Sequence, residues 1–386
     1  MDYPLAYCTN VHAGADLART FANLERHALA VKARFAPTEP MGIGLWLAAS
    51  AARDLRDATR RADFARWIAQ RGLVPFTLNG FPYGDFHETV VKHRVYQPTW
   101  WDAARVEYTL DLIGILDALL PPGKEGSIST LPIAWGSPPP SREPMRTAAA
   151  NLIQVATHLA ELEQRTGRLI YVCLEPEPGC VLQRGDDVVQ FFDDELPGAG
   201  ASSTVRRYLR VCHDICHSAV MFEDQHDVLT RYAQAGIQVG KLQVSSAVCA
   251  DFETRDADSR AALQRELSSF VEDRYLHQTS VCRPDGECHF YEDLTLALHS
   301  EEARGQWRVH FHVPIYLAEF GQIATTREDI LRCLAVVDHH PELRHWEVET
   351  YAWSVLPAEL QQPELADGIA KEMRWLAEQI RPTRVN

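Results

Sequence analysis

The chain has 386 residues, 46% of them hydrophobic and 24% charged, and a formal net charge of −15. This composition supplies a full apolar core, and no apolar run of about 18 residues or more offers a membrane span. An acidic surface repels phosphodiester backbones, so no nucleic-acid partner is expected.

The stretch MDYPLAYCTN at positions 1–10 lacks the basic and apolar regions of a signal peptide, and a cytoplasmic protein is expected. The nine scattered cysteines are then expected to be reduced and mostly buried. Cys282 and Cys288 could pair or bind zinc, although C-x5-C is not a zinc-knuckle spacing.

Apolar runs and helical periods alternate along the chain. PLAYCT reads as a strand, and Asp16 then opens a helix with Leu17, Phe21, Leu24, Ala28, Val31 and Phe35 on one face. MGIGLWLAAS is the next strand, followed by a charged helix over 53–71 that Gly72 ends. LVPFTLNG leads to a helix containing Val106, Leu110, Ile113 and Leu116, and GSISTLP to one over 145–165. RLIYVCLEPE, YLRVCHD and GIQVGKLQVSS are strands, with helices near 188–192, 224–235 and 261–271. WRVHFHVP, a helix over 328–337, HWEVETYAW and a helix over 365–380 complete the pattern.

Such alternation predicts an α/β fold, a (β/α)8 TIM barrel forming one domain over 1–386. Nine strand candidates exceed a barrel's need by one, and VHFHV is taken as an extended segment in a long connection. Residues 250–306 read as a polar, irregular insertion before the last strand region. The connection GFPYGDFHETVVKHRVYQPTWW reads as a second long loop over the C-terminal face, where Phe81, Tyr83 and Trp100 would close a site.

Barrel enzymes keep their chemistry at the C-terminal strand ends. Those ends carry Asn79, Glu175, Asp214 followed by His217, Gln243 and Glu349, while the extended segment carries His310 and His312. Adjacent strands are about 4.8 Å apart, so Glu175, Asp214, Gln243 and Glu349 can converge on one ion. Three carboxylates and a carbonyl oxygen suit Mn2+ or Mg2+, and nearby imidazoles admit Co2+ or Zn2+. Glu177, between two prolines, is assigned to structure. Strand parity places Lys241 and Glu347 one layer deeper, as an interior ion pair, with a substrate contact by Lys241 as the alternative.

Glu175, the D-x-x-H of VCHDICH, the polar Gln243 and the final Glu349 together resemble the xylose-isomerase-like TIM-barrel superfamily of sugar isomerases and epimerases, inosose dehydratases and endonuclease IV. HFH is similar to the D-x-H pair by which endonuclease IV holds another metal, with His310 in place of Asp. LAYCTNVHAG, FTLNGFPYGDFH, LEPEPGC, KLQVSSA and VETYAWSVLP resemble the EboE-like family of metabolite-traffic proteins, associated with secondary-metabolite production or transport. Gln243 departs from the His that sugar epimerases commonly carry on this strand. Asn79 departs from the early histidines of a trinuclear phosphodiesterase.

The resemblance implies that Glu175 and Glu349 bind a divalent metal and move a proton beside a carbonyl, with Asp214 and Gln243 as further ligands. His217, His310, His312, Asn79, Tyr83 and Lys241 would contact substrate. The expected function is a metal-dependent isomerase or epimerase, or a dehydratase, acting on a sugar, cyclitol or related polyol through an enediolate. The alternative, favoured by Gln243, is a metabolite-binding barrel without catalysis. A homo-oligomer is compatible with the sequence.

Overall fold

Eight strands form one parallel sheet in a computed structural model that describes residues 5–196, 202–253, 255–300, 302–337 and 343–380. In chain order they begin with β1 (Leu5–Tyr7), β2 (Met41–Trp46), β3 (Leu73–Asn79) and β4 (Gly126–Thr130). β5 (Ile170–Leu174), β6 (Leu209–Asp214) and β7 (Val239–Val244) follow. Six further strands then leave the sheet: β8 (Val248–Asp251), β9 (Thr279–Cys282), β10 (Cys288–Tyr291), β11 (Gln306–Val309), β12 (Glu319–Phe320) and β13 (Ile323–Thr325). β14 (Trp346–Val348) returns between β7 and β1, and a parallel bridge from Cys8 to Gly44 joins β1 to β2. The result is a (β/α)8 barrel. Its strands are buried on both faces, by helices outside and by side chains that fill the interior.

The helices follow from capping and spacing. Asp16 accepts a hydrogen bond from Arg19 N, and Asp224 one from Asp227 N, each satisfying a free N–H of the first turn. The longest helix, Arg142–Thr166, buries Leu152, Val155, Leu159 and Leu162 at helical spacing. It ends at Gly167, whose φ of +70° suits a residue without Cβ. The single helix expected over 53–71 is two, Ala49–Asp54 and Ala58–Gln70, because Asp57 caps a new start by accepting from Arg60 N. Helix Ser202–Tyr208, absent from the sequence reading, packs directly before β6.

The stretch 250–306 is not irregular. Its strands join β8, β12 and β13 in a six-stranded antiparallel sheet, ordered β10-β9-β11-β8-β13-β12. WRV of the surplus strand candidate WRVHFHVP lies in β11, paired with both β8 and β9. The chain then leaves the sheet, and His310 to Val313 run extended between it and the barrel: His310 N bonds Gln278 O and Val313 N bonds Ser246 O. Cys282 and Cys288, directly opposed on β9 and β10, form a disulfide, the first of the two alternatives open to this pair. The other seven cysteines are free thiols, six of them buried. Among the described residues no helix is long and apolar enough to cross a membrane.

Below the strand ends the barrel interior is polar. Lys241 and Glu347 are both fully buried, with Lys241 Nζ 2.5 Å from Glu347 Oε2. Burial alone would lower the lysine pKa, but the adjacent Glu347 holds it above the ordinary value. Gly44 makes room for the pair, since a Cβ there would fall 1.3 Å from Glu347 Oε1. Ser127, Thr77 and His345 complete the layer through bonds of 2.8 Å.

Removing one member of such a pair leaves a buried charge uncompensated. Lys241→Met is therefore expected to cost about 3–5 kcal/mol in urea denaturation, and Lys241→Met with Glu347→Leu to recover most of that loss. A double variant no more stable than the single one would contradict the pair's assignment.

Candidate metal centre

Each acid of the barrel mouth is fixed by the backbone of its own strand end. Glu175 follows β5, and its N–H bonds Thr130 O of β4 at 3.0 Å. Its Oε2 is buried without a hydrogen-bond partner. Asp214 ends β6 and caps the following helix, Ile215–Val220. Its Oδ1 accepts from His217 N at 2.9 Å and from Ser245 Oγ at 2.7 Å, which leaves Oδ2 buried and unpartnered. Glu349 follows β14, its N–H bonded to Val244 O, and its Oε1 accepts from Asn10 Nδ2 at 2.7 Å and Asn79 Nδ2 at 3.0 Å. One oxygen from each of Glu175, Asp214 and Glu349 lies within 4.8 Å of the others.

Three histidines stand beside the acids. Nδ1 of His217 faces Pro176 O at 2.9 Å, that of His310 faces Gln278 Oε1 at 2.8 Å, and that of His312 faces Glu349 O at 2.7 Å. A carbonyl oxygen only accepts, so each Nδ1 carries the ring proton and each Nε2 is bare in the neutral imidazole. Those bare nitrogens face one another: His217 to His310 at 3.1 Å and His310 to His312 at 3.2 Å. Lone pairs so placed have no proton to share, and a cation between them resolves the conflict. Outer-sphere bonds that fix the tautomer and aim Nε2 are a recurrent feature of metal-binding histidines.

Burial dominates the electrostatics. It raises Glu175 well above the carboxylate range, with Glu349 and Asp214 adding like-charge repulsion. Burial, then Asp214 and Glu347, raises Glu349 to about 8. Asp214 is raised by burial. The same burial lowers His217 to about 3 and His312 to about 4, and with His217 and His312 as neighbours puts His310 well below its ordinary value. The donor set fits a divalent cation: acids with free oxygens that cannot all ionise unaided, and imidazoles held neutral.

The other expected residues divide. Gln243 lies beside Asp214 in the β6–β7 register, fully buried, its amide atoms outside hydrogen-bonding geometry yet close enough to Glu349 to favour that carboxylate's charged form. Asn79 lines the cavity and holds Glu349. Lys241 does not line the cavity, being paired with Glu347 beneath it. Tyr83 also lies away from it, its ring edge-on to Tyr108 at 5.2 Å, and Trp100 is fully buried with Nε1 bonded to Leu131 O. Of the three aromatic closures expected, Phe81 alone lines the cavity.

Glu177, assigned to structure from sequence, is part of the site. β5 ends at Leu174, so strand parity no longer governs position 177. Its Oε1 accepts from Tyr96 OH and Gln278 Nε2, both at 2.8 Å, and lies 3.7 Å from His310 Nδ1. Burial raises its carboxyl to about 7. The E-P-E spacing of Glu175 and Glu177 was the available signal. His213, which alternates away, bonds Gln225 under the helix layer, as parity requires.

The acids make stability depend on pH. Glu349 and Glu177 keep protons in the folded chain that an unfolded chain has already lost near neutrality. Folded protein then binds more protons than unfolded, so stability falls as pH rises from about 6.5 to 8.5, above the window in which the buried histidines act oppositely. Chelator-treated protein is expected to melt at lower temperature at the upper end of this range, and Mn2+ or Mg2+ to flatten the decline by replacing protons. A metal-free midpoint that rises over the same range would contradict the assignment.

No protein-family model matches the sequence, and no curated protein matches it. Solved structures do match. A xylose isomerase-like TIM-barrel protein from Mycobacterium smegmatis, in complex with magnesium, aligns at a TM-score of 0.50 and 10% identity over 99% of this chain and 98% of its own. The probable 3-DHS dehydratase AsbF from Bacillus anthracis aligns at 0.48 and 13% identity over 98% and 99%. The IOLI protein with a bound zinc atom aligns at 0.48 and 11% identity, over 98% of each chain. Identity this low speaks for fold alone. With its eight parallel strands closed in order, the chain has the fold of the xylose isomerase-like TIM barrels.

Proposed function

We propose that this chain is a divalent-metal-dependent isomerase, epimerase or dehydratase. Its substrate is a sugar, cyclitol or related polyol, and the reaction passes through an enediolate. The observation that carries this reading is the meeting of three buried acids, two with unpartnered oxygens, beside three imidazoles whose bare nitrogens face each other. Glu175, Asp214 and Glu349, with Gln243 beside them, would hold Mn2+ or Mg2+, and His217, His310 and His312 would suit Zn2+ or Co2+. A cation bound there supplies charge compensation and polarises an α-hydroxy carbonyl.

The chain's own groups supply the proton transfers. Glu175 and Glu349 enter the mouth from strands separated by β6 and β7, so they reach a substrate from different sides. One takes the proton from the carbon beside the carbonyl and the other returns it. Asn10 and Asn79 hold one oxygen of Glu349 and thereby aim the other. The resemblance of the sequence to metabolite-traffic proteins supports a role in secondary-metabolite production or traffic. The unbonded Gln243, in place of a stronger ligand, favours the second reading, a binding barrel without catalysis.

Elemental analysis and deuterium exchange separate these readings. Glu175→Gln and Glu349→Gln are each expected to lower metal content, and Glu349→Gln to slow exchange beside the carbonyl of polyol ketoses at least about 100-fold. Wild-type metal content in both variants would show that the ligands are wrong. Metal-loaded protein that exchanges no ketose of a broad panel, aryl-substituted hydroxy ketones included, would leave the binding barrel.

A further inference from the structure

The cavity has two unlike halves. Its volume is about 60 Å3, below the usual small-molecule range, so an occupant extends out through the open mouth. The inner end is lined by Glu175, Glu177 and Glu349, by Asn10 and Asn79, and by the three histidines, with Asp214 behind them. The outer wall is apolar. Phe86, Tyr275 and Tyr351 pack on one another with ring centres 5.0 to 5.4 Å apart, and Val91, Val95 and Leu276 continue the surface.

Most polar groups of this wall are already engaged, Tyr351 OH being the hydroxyl that makes no hydrogen bond among the described residues. Tyr275 OH donates to Phe86 O at 3.1 Å, and Tyr96 OH donates to Glu177 at 2.8 Å. Among the described residues lining the cavity, Lys92 is the one lysine or arginine, and its Nζ is bonded to Asp293 at 2.8 Å. A phosphate would find no unpaired cation here. Beyond the single hydroxyl of Tyr351, sugar hydroxyls placed against this wall would give up water without a replacement bond, which is costly.

We propose that the substrate is amphipathic: a hydroxy-carbonyl head that reaches Glu175 and Glu349, joined to a flat apolar group that lies against Phe86, Tyr275 and Tyr351. A sugar or polyol head that carries such an apolar group fits both halves, whereas a phosphate in its place does not. This deepens the proposed function and rests on that reading for where the head lies, while the chemistry of the outer wall stands on its own residues.

Four ketones that share one head and differ in substituent test the proposal: 2-hydroxyacetophenone, hydroxyacetone, dihydroxyacetone and dihydroxyacetone phosphate. Titration calorimetry on Mg2+-loaded protein is expected to show 2-hydroxyacetophenone binding at least about ten-fold more tightly than dihydroxyacetone. Leu276→Asn is expected to erase most of that advantage, read as the ratio of the two affinities. Val95→Thr, close in shape and less buried, serves if the first variant fails to fold. Equal or tighter binding of dihydroxyacetone or its phosphate overturns the proposal, as does undetectable binding of the phenyl ketone. Metal content and deuterium exchange on the same samples keep the two readings apart. Metal and exchange without phenyl preference overturn this proposal alone; phenyl preference without metal supports it and overturns the metal reading.

Discussion

Uncompensated charge at the mouth of the barrel is the constraint on which the rest of the structure depends. Three acids face one another in a buried space, and the one lysine beneath them already belongs to Glu347. Beside them three imidazoles point bare nitrogens at each other. Burial acts on both sets in the direction that removes charge, raising the acids and lowering the histidines. The outcome is asymmetric. Neutral imidazoles are ready ligands, whereas the carboxylates must release protons before a cation can take their place.

The fold brings these groups together by two separate routes. Barrel strands deliver the acids, and the backbone at each strand end fixes them: Thr130 O under Glu175, and Val244 O under Glu349. Asp214 divides its two oxygens, one capping a helix and the other free toward the site. Two of the histidines lie on the segment that leaves the second sheet. As the chain leaves β11, His310 N bonds Gln278 O, and the side chain of Gln278 then links His310 to Glu177. Without that antiparallel sheet the acids would remain but His310 and His312 would not be in place. The aromatic wall is likewise composite, since Phe86, Tyr275 and Tyr351 come from three distant parts of the sequence.

Much of this was legible in the sequence wherever strand period governs. Alternation put Glu175, Asp214 and Glu349 on the inner face and His213 on the outer one, and counting two residues down found the Lys241–Glu347 pair. It stopped working where strands stop. Glu177 lies past the end of β5, where Pro176 and Pro178 bend the chain, and no period predicts where its carboxylate points. The strands of the second sheet are polar on one face and as short as two to four residues, too little pattern to distinguish from loop. For the same reason the facing of Cys282 and Cys288, which depends on the β9–β10 register, was hidden. Tyr83 and Trp100 sit in a loop with no period at all, and their burial is decided by Tyr108 and Leu131, distant in sequence.

The most direct measurement is anomalous diffraction from crystals of the metal-free protein soaked in Mn2+. The account predicts a peak at bonding distance, about 2.0–2.5 Å, from oxygens of Glu175, Asp214 and Glu349, with the three acids drawn together around it. A map with no peak in the barrel mouth, or the peak outside it with these acids unmoved, would contradict the account.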